Sequence, residues 1–471
     1  MIFAHKLDIK EEMKKHIYLL GIAGLMAFAS ACSKSNGPTP LPPDTKPPVT
    51  GGNVDVRGKI TKDTHWTAEN VYRLRGYVYV DNNATLTIDP GTKIVSNKDS
   101  SGVLIIYKGS KINAAGTAAK PIVFTSNETE KKPGDLGGLV LVGTATGNGN
   151  HAVIEGGVDG DHQAFGGTND ADNSGVLQYV RIEYAGKAVN PGDEVNGLSM
   201  YTVGNATTVD HIQIVRGLDD AFEFFGGAFN AKYLIAYNCA DDDFDFDDGF
   251  HGKIQFAVSV KDPAFTDNKG VTGDISNNFE FDNTTDAKGY LLNPNTFPLM
   301  SNFTAIGPNN AANTSTDYGY NARFRRGAKF ILANSIVMGG QRAGIVIDND
   351  VTVGYYKTAV SGVKNTLIAS YGANYKVDKL VDATLLDAAG LKALVEVRDG
   401  SQSFTDAALI GLTDPFNNAS PNLLPKTGSP ALAGAKFEGS IGDSFFTKVA
   451  YLGAIDPASD WTKATWVSWG R

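Results

Sequence analysis

The sequence predicts an all-β chain, a right-handed parallel β-helix (solenoid) with a C-terminal capping region. Three observations carry this. Short β-type runs follow one another through most of the 471 residues. Glycine is high at 53, about 11% where ~7% is usual, as a chain with many corners requires. A pattern of apolar and acidic residues also returns every 22 positions, so the chain advances one coil at a time and equivalent side chains pile into columns. With 42% hydrophobic and 10% aromatic residues the chain is not disordered, and its two cysteines exclude a disulfide scaffold.

The first element is a targeting segment. Met13-Lys14-Lys15-His16 precedes an apolar run from Ile17 to Ala31, which ends Ala29-Ser30-Ala31-Cys32. A basic start, an apolar core and small residues at the end make a secretory signal. The run is short for a spanning helix, which needs ~20 apolar residues. Small residues before a cysteine resemble a bacterial lipoprotein signal: residues 1–31 are then the signal peptide and Cys32 the lipidated first residue of the mature chain. Met13 reads as the better start, because Asp8, Glu11 and Glu12 sit where a signal carries basic charge. Residues 32–53 are a proline-rich tether with no core of its own. The expected place is the cell envelope, as an outer-membrane lipoprotein held to the membrane by its lipid anchor. Ser33-Lys34-Ser35-Asn36 holds no acidic export tag, which leans towards the periplasmic face and leaves the face open. The chain after residue 31 holds 38 basic and 48 acidic residues, a net charge of about −10 that argues against nucleic acid as a partner.

Residues 54–359 are the expected β-helix. Strands are read at Tyr77–Val80, Ala84–Ile88, Val103–Tyr107, Ile122–Thr125, Leu139–Val142 and Val180–Glu183. Ile88, Ile106 and Phe124 suggest an early period of 18. The later period is 22: Ile212 and Ile214 answer to Leu234 and Ala236, then to Phe256 and Val258, and Phe222 and Phe224 answer to Phe244 and Phe246. Residues 360–471 read as final coils and a cap. Within them 381–397 carry the spacing of a short helix, and Trp461, Trp466 and Trp469 read as cap packing.

Several strings resemble a known group. Residues 109–126, Gly-Ser-Lys-Ile-Asn-Ala-Ala-Gly-Thr-Ala-Ala-Lys-Pro-Ile-Val-Phe-Thr-Ser, resemble a coil common in parallel β-helix proteins. Ser174-Gly-Val-Leu-Gln-Tyr-Val-Arg-Ile-Glu-Tyr-Ala-Gly186, Asp219-Asp-Ala-Phe-Glu-Phe-Phe-Gly-Gly227 and Asp241-Asp-Asp-Phe-Asp-Phe-Asp-Asp-Gly249 resemble an uncharacterised family of Bacteroidota cell-envelope lipoproteins. The tail from Tyr451 through Asp460-Trp461 to Trp466 fits the same family. The resemblance covers roughly residues 55–471 and implies a pectin-lyase-like fold and an envelope location, with no activity attached.

The most informative local feature is acidic. Nine acidic residues lie between 219 and 248 (Asp219, Asp220, Glu223, Asp241, Asp242, Asp243, Asp245, Asp247 and Asp248), with Lys232 alone opposing them. Period-two alternation with the phenylalanines inward sends Glu223, Asp243, Asp245 and Asp247 outward. Phe279-Glu280-Phe281 repeats the unit, so Glu223, Asp245 and Glu280 should form a carboxylate ladder. Two such charges ~5 Å apart repel by roughly 3 kcal/mol at an effective dielectric of 20. Arg323 or Arg325 in the next coil can relieve this. So can Ca²⁺ held by Asp219, Asp220, Glu223, Asp241, Asp242, Asp243, Asp245 and Asp247, or a raised carboxyl pKa of the kind a catalytic pair has. The plain alternative is solvated aspartates in turns.

Two other groups of residues bear on metal binding. The loop 156–174 offers Asp159, Asp161, Asp170 and Asp172 without a complete calcium-loop pattern. His151, His162, His211 and His251 show no metal-ligand spacing. Asp219-Asp220 followed by His251-Gly252 is loosely similar to polygalacturonase motifs, but His251 falls 31 residues past Asp220, out of register. By analogy with the fold, the expected function is a non-catalytic glycan- or surface-binding protein, with calcium as a candidate structural ion. The alternatives are a polysaccharide lyase or glycoside hydrolase using Glu223, Asp245, Asp220 or Asp242, with Arg216 or Lys253 as a lyase's basic residue, and a purely structural or adhesive surface protein.

Overall fold

The computed structural model describes residues 51–190, 193–267, 275–285 and 288–470. The signal peptide, Cys32 and the tether as far as residue 50 lie outside the described residues. From Asn53–Ile60 to Gln402–Ser403 the strands, apart from the antiparallel pair Lys187–Asn190 and Asp193–Val195, join into one sheet wound upon itself, with neighbouring strands in parallel. Thr208–Val215 lies between Gly175–Glu183 and Asn230–Tyr237, while Phe222–Phe225 lies between Leu198–Tyr201 and Phe244–Asp247. The chain thus visits one face, turns a corner, visits the next and returns one layer further on. This is the expected parallel β-helix.

The 22-residue period holds where Ile212 pairs with Leu234 and Phe222 with Phe244. One residue is then inserted, so Leu234 pairs with Ala257 and Ala236 with Ser259, not with Phe256 and Val258. The early 18-residue period is a coincidence: Ile88 stacks on Ala114, Ile106 on Val80, and Phe124 on Ile94. Coils of unequal length put apolar residues from different faces at equal spacings.

Inward columns form the core. One runs Leu198, Phe222, Phe244, Phe279, Ala322, Ile345, and its neighbour runs Met200, Phe224, Phe246, Phe281, Phe324, Ile347. All are buried, and successive rings meet at 4.9 Å (Phe222–Phe244) and 4.7 Å (Phe246–Phe281). Burying a side chain of this size is worth roughly 1.5–3 kcal/mol.

The corners use left-handed backbone. Within consecutive strands, Tyr179, His211, Tyr233 and Phe256 stand at φ between 49° and 62°, followed by Asn302, Asn334 and Asn365 at 47–59°. Asparagine enters this region readily, whereas an aromatic residue pays for it. Here the rings recover the cost by stacking, at 4.3 Å for Tyr179–His211, 4.3 Å for His211–Tyr233 and 5.1 Å for Tyr233–Phe256. At another corner Gly227 (φ 90°) is obligatory, since a Cβ there would lie 2.5 Å from the Val203 carbonyl oxygen.

The distal end is covered by a helix at Asp350–Lys357, which the strand reading of 54–359 missed, and by Ala388–Ala393 continued by a π-helical turn at Leu394–Arg398. Tyr356, Leu391 and Val395 insert into the core. The tail beyond residue 403 lies elsewhere. It runs back along the flank, packing Ile410, Leu423, Leu452 and Trp466 on Val215, Ile235, Val258 and Ile306, the outward residues of that face. Its tryptophans pack on this flank and on the aromatic corner rather than over the end of the stack: Trp466 meets His211 edge-on at 5.4 Å, and Thr465 reaches the Ala118 carbonyl at 2.6 Å.

Candidate functional site

Beside the inward phenylalanines, the outward positions of the same strands form a column: Val140, Ser199, Glu223, Asp245, Glu280, Arg323, Val346, Lys376. It begins apolar, turns acidic over three coils and then turns basic. Period-two alternation places Glu223, Asp245 and Glu280 one above another with Arg323 next.

Outward does not mean solvated here. Glu280 is buried, as are the neighbouring Asp220 and Asp242, and Glu223 and Asp245 are only partly exposed. Glu223 is bonded by the Asn196 side chain, and Glu155, whose N–H meets the Tyr201 hydroxyl at 3.2 Å, lies close enough for its charge to act on Glu223. Burial, followed by Glu155 and Asp220, holds the Glu223 carboxyl well above its usual range. Burial, followed by Glu280 and Asp220, does the same to Asp245.

The flanking carboxylates join this column. Asp220, Asp241 and Asp242 bring oxygens within 4.8 Å of one another, as do Asp220, Glu223 and Asp245, and Asp242, Asp245 and Glu280. Asp219 and Asp241 form a further group with Asp267, whose carboxyl is pushed up to about 8 by burial and by the charges of Asp219 and Asp242. Such groups have the oxygen donors a hard cation takes. Asp245 Oδ1 is closed to solvent and has no hydrogen-bond partner among the described residues.

The basic end is fully engaged. Arg323 lies 3.5 Å from Glu280 and 3.1 Å from Asp348, Arg325 bonds Glu280 and lies 2.8 Å from Asp282, and Arg326 lies 2.8 Å from Asp282.

Asp243 differs from the outward-facing expectation. Its side chain turns into the coil, where Lys261 Nζ lies 3.0 Å away and the Ser259 hydroxyl donates to it. The strand begins only at Phe244, so alternation does not govern Asp243. Asp247 does face outward, but it lies under the loop beside Asp248 and His151.

The sequence pattern does not mark His151 and Glu155 as site residues. His151 Nδ1 lies 2.9 Å from Asp248 Oδ1 and 3.7 Å from Asp247 Oδ2, and Nε2 lies 3.9 Å from Glu155 Oε1. Burial lowers its pKa, but the Asp248 hydrogen bond and the surrounding carboxylates outweigh that and raise it to about 9. Asp247 rises to about 7 through burial and the Asp248 charge. Spacing gives no hint of this partnership, since about a hundred residues separate the partners; only the length of the loop marked it. The loop carboxylates considered for calcium are held by protein donors instead: Asp159 by His162 at 2.6 Å, Asp170 by the Thr146 N–H at 2.9 Å, and Asp172 by the Thr144 hydroxyl at 2.8 Å.

A different surface is open. On the first coils His65, Thr85, Thr87, Lys111 and Asn113 share an outward face. Two shallow cavities border it, one of about 390 Å³ lined by Asp63, Thr64, His65, Thr85 and Thr87, the other of about 470 Å³ including Thr67, Glu69, Asp89, Thr117 and Lys120. His65 Nε2 and Asp89 Oδ1, 2.7 Å apart, stand between them.

No curated protein and no solved structure matches the chain. A family model does, the pectate-lyase like beta helix domain, over residues 58–403, and with that match covering most of the winding described above the chain belongs to this family.

Proposed function

We propose that this chain is a lipid-anchored cell-envelope protein, of the Bacteroidota lipoprotein kind its motifs resemble, that binds glycan without cleaving it. The observation that carries the reading is the contrast between its two polar surfaces. Of the carboxylates that a hydrolase or lyase would use, Asp220 and Asp242 are buried and Glu223 and Asp245 are only partly exposed. The open face between the two cavities presents hydroxyls, an amide, an imidazole and a lysine, a set suited to a polyhydroxylated ligand. A polysaccharide panel tests this. Retention that is lost in a His65→Ala, Thr87→Ala double variant, with no new reducing ends or unsaturated products, supports it. Product formation abolished by Glu223→Gln replaces it with the hydrolase or lyase reading, and binding to nothing on the panel favours a purely structural surface protein. Membrane retention lost in Cys32→Ser checks the anchor.

The acidic column is read as a structural calcium site. Its support is Asp245, whose buried Oδ1 has no donor among the described residues and which belongs to two carboxylate triads. Ca²⁺ should raise the melting temperature and EDTA reverse it. No response to either, with none lost in Asp245→Ala, would exclude calcium.

A further inference from the structure

The histidine that the long loop delivers to the acidic strand end does not belong to the oxygen-only column. Its Nδ1 has Asp248 Oδ1 at 2.9 Å and Asp247 Oδ2 at 3.7 Å, and one oxygen from each aspartate and this nitrogen all lie within 4.8 Å of one another. Around a tetrahedral ion with bonds of 2.0–2.2 Å, ligand atoms stand about 3.3 Å apart, between the two distances observed. The two histidine–carboxylate separations thus bracket the edge of such a coordination tetrahedron.

The surroundings match a metal-bound imidazole. The ring is fixed edge-on to Phe225, with centroids 5.4 Å apart and planes at 82°. Its second nitrogen faces the Glu155 carboxylate at 3.9 Å, the position of the acceptor that orients a coordinated histidine and strengthens it as a ligand. Asp248 is buried, whereas the His151 side chain is 31% exposed, so the site opens to water on the loop side. One nitrogen and two carboxylate oxygens suit zinc-class ions better than calcium or magnesium, which take oxygen.

We propose that His151, Asp247 and Asp248 bind a divalent transition-metal ion of the zinc class, with a coordination position left open to solvent. Three protein ligands and a free position make a site able to take water or an anionic oxygen of a ligand. The loop from Gly143 to Ser174 is then pinned to the coil by a metal bond. This inference rests on neither the glycan nor the calcium reading.

The test uses the full chain stripped of metal, held in excess Ca²⁺ to occupy the acidic column. Co²⁺ is titrated by its visible absorption and Zn²⁺ by calorimetry. The expected result is about one equivalent bound at micromolar affinity or tighter. Binding should weaken at least tenfold in His151→Ala and in Asp248→Asn, and be retained in Asp245→Asn. If Asp248→Asn fails to fold by circular dichroism, His151→Gln carries the test, because that residue lies on the covering loop. Absence of binding overturns the proposal. So does binding that His151→Ala leaves intact, or that is lost instead in His162→Ala or His251→Ala.

Discussion

Lys261 Nζ lies 3.0 Å from Asp243 Oδ1, with 1% and 0% of the two side chains exposed, so one full ion pair is sealed inside the coil. Removing one partner of such a pair costs about 3–5 kcal/mol, because the other charge stays buried and unpaired. Lys261→Ala should therefore lower the denaturant midpoint strongly. The double variant Asp243→Leu, Lys261→Met should recover much of the loss. A double variant no better than the single one would show that the pair contributes net stability beyond its own desolvation.

The raised carboxyls set a pH dependence. Asp247, at about 7, and Asp267, at about 8, owe their rise first to burial and then to neighbouring charge. A carboxyl whose pKa rises on folding holds its proton more tightly in the folded chain. Its stabilisation is complete below the unfolded value near 3.9 and is lost as pH climbs through the folded value. The melting temperature of the ion-free protein should fall between about pH 4 and pH 8, and Ca²⁺ should flatten the share owed to Asp267. A melting temperature that rises over this interval would contradict the assignment.

Tyr233 separates backbone strain from stacking. At φ 58° an alanine keeps the strain and loses the ring, whereas a glycine loses the ring but relaxes the backbone. Tyr233→Ala should be less stable than Tyr233→Gly by about 1–2 kcal/mol in chemical unfolding, and both less stable than the parent chain. Equal losses would mean that the corner is not strained.

In the core, Phe246 sits between Phe224 and Phe281 in its column. Phe246→Ala should cost about 3–5 kcal/mol, read as a shift in thermal midpoint. Phe246→Leu should recover most of that.

Much of this architecture was legible in the sequence because columns write themselves as repeats. The spacing that joins Phe222 to Phe244 and Glu223 to Asp245 is visible without coordinates. Alternation also places the Glu223–Asp245–Glu280 stack and its arginine neighbour. The partial burial of that stack was not legible, because alternation says which way a side chain points and nothing about what lies over it. The covering residues come from loops with no period. His151 reaches Asp248 across 97 positions, a pairing no local pattern encodes. Asp243 failed for a related reason, since it stands one residue before its strand and obeys the corner rather than the pleat. The inserted residue before Lys253 explains the shifted match of Phe256: the repeat continued while its register slipped by one.

The tail gives the molecule a property that stacked coils lack. A stack bound only by nearest neighbours can unzip from either end, each layer melting after the last. Here Arg181 donates to the Trp466 carbonyl, Gln213 exchanges two bonds with Ser468, Gln255 does so with Thr447, and Asn334 does so with Lys436. A segment made late therefore staples layers made early, across as many as 347 positions at Thr465 and Ala118. Melting any stapled layer means peeling the staple as well, so the one-dimensional array should unfold as a single block, and its folding can finish only after the whole chain has been synthesised.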